Sequence, residues 1–183
     1  MATSAGMVFE YRVHQYLREW RVLELHTILA NNHPEGGNYA FNEYQPTHPV
    51  SIELQKMEQF FVGNKTKNTH EFHVYFRPQH SNFPSIDSWT IIQRKRPLVL
   101  AFQITTNKRC HDLKKEGLDR LRALAPRDAL ICPVIVTPMG VTPRITVPTD
   151  YLTNTFVGNS NVNDVFPVAC LHIDFAELFK PPS

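Results

Sequence analysis

The sequence predicts an α/β domain with a mixed sheet, and three observations predict it. Residues 7 to 20, MVFEYRVHQYLREW, carry Phe9, Val13, Tyr16, Leu17 and Trp20 on one stripe at helical spacing. Three strand-like segments then follow at hairpin spacing: HEFHVYF (70–76), IDSWTII (86–92) and LVLAFQIT (98–105). Beyond them, CHDLKKEGLDRLRAL (110–124) places Leu113, Leu118, Leu121 and Leu124 at helical intervals, ahead of the apolar, β-branched DALICPVIVTP (128–138).

In chain order, the first helix is amphipathic, with Glu10 and His14 one turn apart on its flanking face. RVLELHTIL (21–29) alternates like a strand, and NNHPEGGN (31–38) is a loop by its Asn, Pro and Gly content. PVSIELQKMEQFF (49–61) suits a short helix or a strand. The turn-rich RPQHSNFPS and QRKRP separate the three central strands, and Pro126 ends the second helix. The tail holds a Pro- and Thr-rich loop, a last strand at VFPVACLHI (165–173) and a short helix at DFAELF (174–179). No repeat, low-complexity tract or linker divides the chain, so residues 1–183 are expected to form a single domain. Its core covers about 6–138, with an insertion over about 25–68 and a C-terminal extension over 139–183.

The 183 residues are 42% hydrophobic and 20% charged, an ordinary globular composition. A formal charge of +2 is too mild to announce a nucleic-acid binder, so any basic surface must be local. The cysteines, Cys110, Cys132 and Cys170, are odd in number and widely spaced, with no CxxC pair or zinc-ligand pattern; a reducing compartment is expected. No run approaches the roughly 18 to 20 apolar residues of a membrane span, and the N-terminus lacks the apolar core of a signal peptide. A soluble, intracellular protein without a membrane partner is therefore expected.

Chemistry concentrates around the third central strand. Alternation puts Leu98, Leu100, Phe102 and Ile104 on one face and Val99, Ala101, Gln103 and Thr105 on the other. A buried amide costs free energy unless it is bonded or bound, so Gln103 requires a structural partner or a ligand. Asp87, opening the preceding strand, can approach Gln103 across the QRKRP turn. Its alternative role is that of a turn residue after Phe83-Pro84-Ser85, bonded to local backbone. An acid opening one strand, an acid or amide in the next, and His111 with lysines beyond are the parts with which a metal-dependent nuclease holds Mg²⁺ and activates water. Glu10 and His14 equally suit plain structural duty on their helix, and His111 suits a backbone contact at a helix start. Cys110 beside His111 makes a poor dyad, because adjacent helical residues point roughly a hundred degrees apart. No G-x-S-x-G elbow or P-loop supports a small-molecule hydrolase.

The opening GMVFEYRVHQYL and the segment FQITTNKRCHDLKKEGLDRL together resemble crinkler and retrotransposon hot spot proteins, whose C-terminal domain is similar to PD-(D/E)xK restriction-endonuclease-like nucleases. The resemblance covers about residues 6 to 138. It implies a core of helix, three strands, helix and strand, and a metal-dependent endonuclease acting on nucleic acid, with DNA the expected substrate. It makes Glu10 the first-helix acid acting through water, and Asp87, Gln103 and the carbonyl of Ile104 the ligands of Mg²⁺ or Mn²⁺. Gln103 stands at the acidic position and Thr105 where the lysine belongs, so Lys114, backed by Lys108 and Lys115, becomes the replacement cation, with His111 beside it. The resemblance also implies an effector working in the nucleus. The rival implication is an inactive nuclease-fold module that binds nucleic acid or a host protein.

Two basic runs flank the same strand: Arg94, Lys95 and Arg96 before it, and Lys108, Arg109 and Lys115 after it. A charge run is usually a solvated surface, but these two are candidates for phosphate contacts that give affinity with little sequence selection. A helix beginning near residue 110 would add backbone N–H groups to that border.

Overall fold

The structure, a computed structural model, describes residues 4–18, 23–30, 38–44, 56–60, 70–78, 83–108, 111–148 and 168–180. Along the chain run α1 (Ser4–Arg18), β1 (His26–Ala30), β2 (Asn38–Tyr44), β3 (Lys56–Phe60), β4 (Val74–Pro78), β5 (Ser88–Ile92), β6 (Leu98–Ile104) and β7 (His111–Asp112). They are followed by α2 (Lys115–Leu124), β8 (Leu130–Pro138), β9 (Ile145–Pro148), β10 (Ala169–Ile173) and α3 (Phe175–Leu178). The fold is α/β with a mixed sheet.

Among the described residues the strands lie in the order β3-β4-β5-β6-β8-β10-β1-β2-β9-β7. β4, β5 and β6 form an antiparallel meander. After α2 the chain returns as β8, parallel to β6, and β10 adds parallel to β8. β8 lies between two parallel neighbours and every residue of LICPVIVTP is buried, which is why it reads as a continuous apolar run rather than an alternation.

The alternation of β6 sorts its side chains onto two cores. Val99 and Ala101 pack with Leu118 and Leu121 of α2 and with Trp89 of β5. Leu98, Leu100 and Phe102 pack with Phe9, Val13 and Leu17 of α1 and Leu178 of α3. The helices thus cover opposite faces of the sheet, each fully buried leucine or phenylalanine contributing about 1.5–3 kcal/mol.

Four elements differ from the sequence expectation. The helix expected from residue 110 begins at Lys115, because His111 and Asp112 pair in parallel with β9 and the Leu113 N–H donates to Thr146 O at 3.0 Å. The segment Ile145–Pro148, expected within a loop, is strand β9, paired with both β2 and β7. HEFHVYF is extended only from Val74, since residues 70–73 turn and His73 has a φ of 61°. Among the described residues the insertion joins the sheet at three places: β1 pairs with β10, β2 with β9, and β3 in parallel with β4. The loop expected over 31–38 lies outside the described residues except for Asn38, which opens β2. Residues 49–55 and 61 are likewise outside them, and 56–60 form strand β3.

Candidate active-site cleft

Where α1 passes the C-terminal end of β6, a cleft of about 620 Å³ opens. Glu10 and His14 of α1, Arg77 of β4, Asp87 ahead of β5, Gln103 and Ile104 of β6, and Thr105 and His111 just beyond it all line the cleft. Residues far apart in sequence meet here because the meander brings the start of β5 beside the end of β6. Ser88 pairs with Phe102, and the Asp87 N–H donates to Phe102 O at 2.9 Å, so Asp87 arrives opposite Gln103.

Asp87 bonds across the strands rather than within its own turn: its Oδ2 accepts the Ile104 N–H at 2.7 Å. Withdrawal from water pushes its carboxyl up from 3.8 to about 6; the Ile104 N–H pulls it down, Glu10 pushes it up, and Arg77 pulls it down. A carboxyl poised near neutrality in a cleft is what a functional site displays. Glu10 shifts the other way. The His14 imidazole, when protonated, holds it below the usual value against the opposing effect of burial, with Arg77 assisting.

The turn that delivers Asp87 is clamped to the start of α2. Ser85 sits at a φ of 61°, a conformation costly for a residue with a Cβ. Its hydroxyl donates to Asp112 O at 3.2 Å and accepts the Lys114 N–H at 3.0 Å. Gly117 of α2 lies against the same turn so closely that a Cβ there would stand 1.8 Å from Pro84 O.

Gln103 and Thr105 share a face but not a fate. Thr105 Oγ1 accepts the Asn107 N–H at 3.1 Å and lies 3.2 Å from His111 Nε2. That nitrogen is also 3.1 Å from Asn107 O, and because a carbonyl only accepts, Nε2 carries the proton. Both side chains thus hold the loop together. The Gln103 Oε1, by contrast, is withdrawn from solvent and has no hydrogen-bond partner among the described residues. An orphaned buried acceptor costs about 1–3 kcal/mol unless something occupies it.

Of the remaining residues singled out from sequence, Lys114 caps α2 and stays exposed outside the cleft lining, its Nζ 3.9 Å from Asp112 Oδ2. Lys115 is exposed and paired with Asp119 at 2.9 Å, and Lys108 is exposed on the loop after β6. Arg94, Lys95 and Arg96 lie at the far end of β6, about 20 Å from Gln103 at some 3.3 Å per residue. The Arg96 Nε there donates to Asp128 O at 2.7 Å. Arg109 and Cys110 lie outside the described residues. Arg77 was missed, because RPQHSNFPS reads as a turn; its position two residues after Tyr75, on one strand face, was the available signal. It lines the cleft, where Lys114 does not.

Among the described residues no group of three His, Cys, Asp or Glu side chains gathers to hold a metal, and no helix is long and apolar enough to cross a membrane. No protein-family model matches the chain, and neither a curated protein nor a solved structure matches it.

Proposed function

We propose that the cleft belongs to a metal-dependent phosphodiesterase of the restriction-endonuclease-like fold, acting on nucleic acid, with DNA the expected substrate. One observation carries the proposal: Glu10, Asp87, Gln103, Ile104 and His111, chosen from motifs at separate places in the sequence, line one cleft. The element order of helix, antiparallel three-strand meander, helix and parallel strand supports the fold assignment.

The donors in the cleft fit a hard cation. Asp87 and Gln103 offer oxygen, the Gln103 Oε1 is buried with no partner among the described residues, and Mg²⁺ or Mn²⁺ takes such ligands while keeping several waters. Asp87, Gln103 and the Ile104 carbonyl would hold the ion, which would supply charge neutralisation at the scissile phosphate. Arg77 supplies fixed positive charge in the cleft, the part expected of Lys114, and orients the phosphate. Asp87 anchors the site through the Ile104 N–H, and His111 keeps the loop after β6 in place.

Purified protein with Mg²⁺ or Mn²⁺ is expected to nick plasmid DNA, and Asp87→Ala to abolish nicking. Cleavage that survives this substitution would remove the assignment. A second function is favoured by one feature, the engagement of Thr105 with Asn107 and His111 where a lysine would stand. A nuclease-fold module without chemistry would bind nucleic acid or a host nuclear protein in an effector role. Salt-sensitive DNA binding with neither cleavage nor Asp87-dependent uptake of Mn²⁺ would establish it.

A further inference from the structure

His14 lies in the cleft wall with only 2% of its surface exposed, and both its ring nitrogens face defined partners. Nδ1 lies 2.7 Å from the Tyr75 hydroxyl, which donates its single proton onward to Ser88 Oγ at 2.6 Å. A Tyr75 hydroxyl that donates to Ser88 accepts from His14, and this direction of the chain assigns the ring proton to Nδ1. Neutral His14 then presents the lone pair of Nε2. That atom stands 3.8 Å from Glu10 Oε1, too far for a hydrogen bond. Two acceptors at this separation suit the two hydrogens of one water molecule.

We propose that His14 is the general base of the cleft, with Glu10 holding the same water and Tyr75 and Ser88 as positioning residues that set the tautomer. The inference rests on the phosphodiesterase assignment above. A lone pair of the water oxygen forms the new P–O bond while one water proton passes to Nε2. The ester P–O bond breaks, its electron pair leaves with the departing oxygen, and that oxygen takes a proton from solvent. The second water proton stays on the new phosphate until it ionises, and His14 returns its proton to solvent. Glu10 offsets the imidazolium charge during the step, and a base oriented by a further hydrogen-bonded group is the logic of a catalytic triad. The groups facing His14 are Glu10 from its own helix and Arg77 and Tyr75 from β4. Burial, with Arg77, keeps the imidazole neutral and ready to accept, against the opposing pull of Glu10.

The test compares wild type, Asp87→Ala, His14→Gln and Tyr75→Phe on plasmid DNA with Mg²⁺. Glutamine can still donate an amide N–H to Tyr75 but cannot take a proton. His14→Gln is expected to lower kcat by about 10²- to 10⁴-fold with KM nearly unchanged, and Tyr75→Phe to lower kcat by about tenfold through disorder of the ring. Wild-type kcat in His14→Gln, with Asp87→Ala inactive, overturns the base and leaves the phosphodiesterase standing. A wild type that cleaves nothing overturns both. Nitrogen NMR of the imidazole in intact wild type is independent of activity and of how the variants fold. It is expected to show the Nδ1–H tautomer of His14, and the Nε2–H tautomer overturns the proposal.

Discussion

Thr105 and Gln103 pose the same question in the sequence, two polar side chains on one face of an apolar strand, and the structure answers it differently for each. Thr105 is satisfied by Asn107 and lies against His111, whereas Gln103 keeps an oxygen in the cleft that has no partner among the described residues. Asp87 beside it is tested through pH. Its carboxyl titrates near 6 in the folded chain against an ordinary 3.8, so between those values the folded state holds a proton that the unfolded state has lost. Stability therefore falls as pH rises through that window. Asp87→Asn is expected to be more stable than wild type by up to ~3 kcal/mol at pH 7.5 and no more stable at pH 3.5. Urea unfolding at the two pH values checks this, and an equal gain at both would count against a titrating Asp87. Mg²⁺ at ten times its Kd is expected to add about 1.4 kcal/mol to wild type and nothing to the Asn variant. Asp87 and Gln103 were legible because alternation and a short turn constrain which strand residues can meet. Arg77 and the Ser85 clamp were not, because a turn-rich stretch carries no periodicity that reports where its side chains go.

At the scale of elements, the junction between the 83–87 turn and α2 holds Asp87 in place. Gly117→Ala gains about 1 kcal/mol in helix propensity, but the new Cβ would fall 1.8 Å from backbone at Pro84 O, which cannot retreat as a side chain end can. A net loss of ~2 kcal/mol or more is expected, read as a lower Tm together with weaker Mn²⁺ binding. Unchanged Tm would show that the close approach is not enforced. At Ser85 both Ala and Gly lose two hydrogen bonds, but only Gly relieves the left-handed backbone. Ser85→Gly is accordingly expected to be less damaging than Ser85→Ala by about 1 kcal/mol, measured by thermal unfolding. The reverse order would mean the φ of 61° carries no strain. Helix α2 itself was legible from its leucines. Its true start was not, because His111 and Asp112 have partners in β9, more than thirty residues away.

For the whole molecule, the three helices and the strands β1, β4, β5, β6, β8 and β10 follow from local pattern, while β2, β7 and β9 exist through pairing, β9 lying between β2 and β7. The same distinction governs charge. Arg94, Lys95 and Arg96 flank β6 in sequence but lie about 20 Å from the cleft by strand length. Replacing all three with alanine is expected to reduce the slope of DNA affinity against salt by up to ~3 and to leave kcat unchanged, whereas Arg77→Ala is expected to lower kcat. Titration of a long duplex over a range of salt, beside cleavage rates, separates the two; a fall in kcat for the triple variant would place that turn at the chemistry. The sequence by itself determined the α/β class and the two faces of β6, because burial imposes a period of 2 on half-buried strands and 3.6 on helices, and that period is written in the residues; Glu10 and His111 are singled out through the family resemblance, not through that period. Only the tertiary structure decided that Arg77 rather than Lys114 lines the cleft, that Thr105 is engaged in the loop beside His111, and that His14 meets Tyr75, which in turn meets Ser88. Those relations depend on which strands become neighbours and in what register, and hydrogen bonds between residues 61 and 13 positions apart leave no periodic trace along the chain.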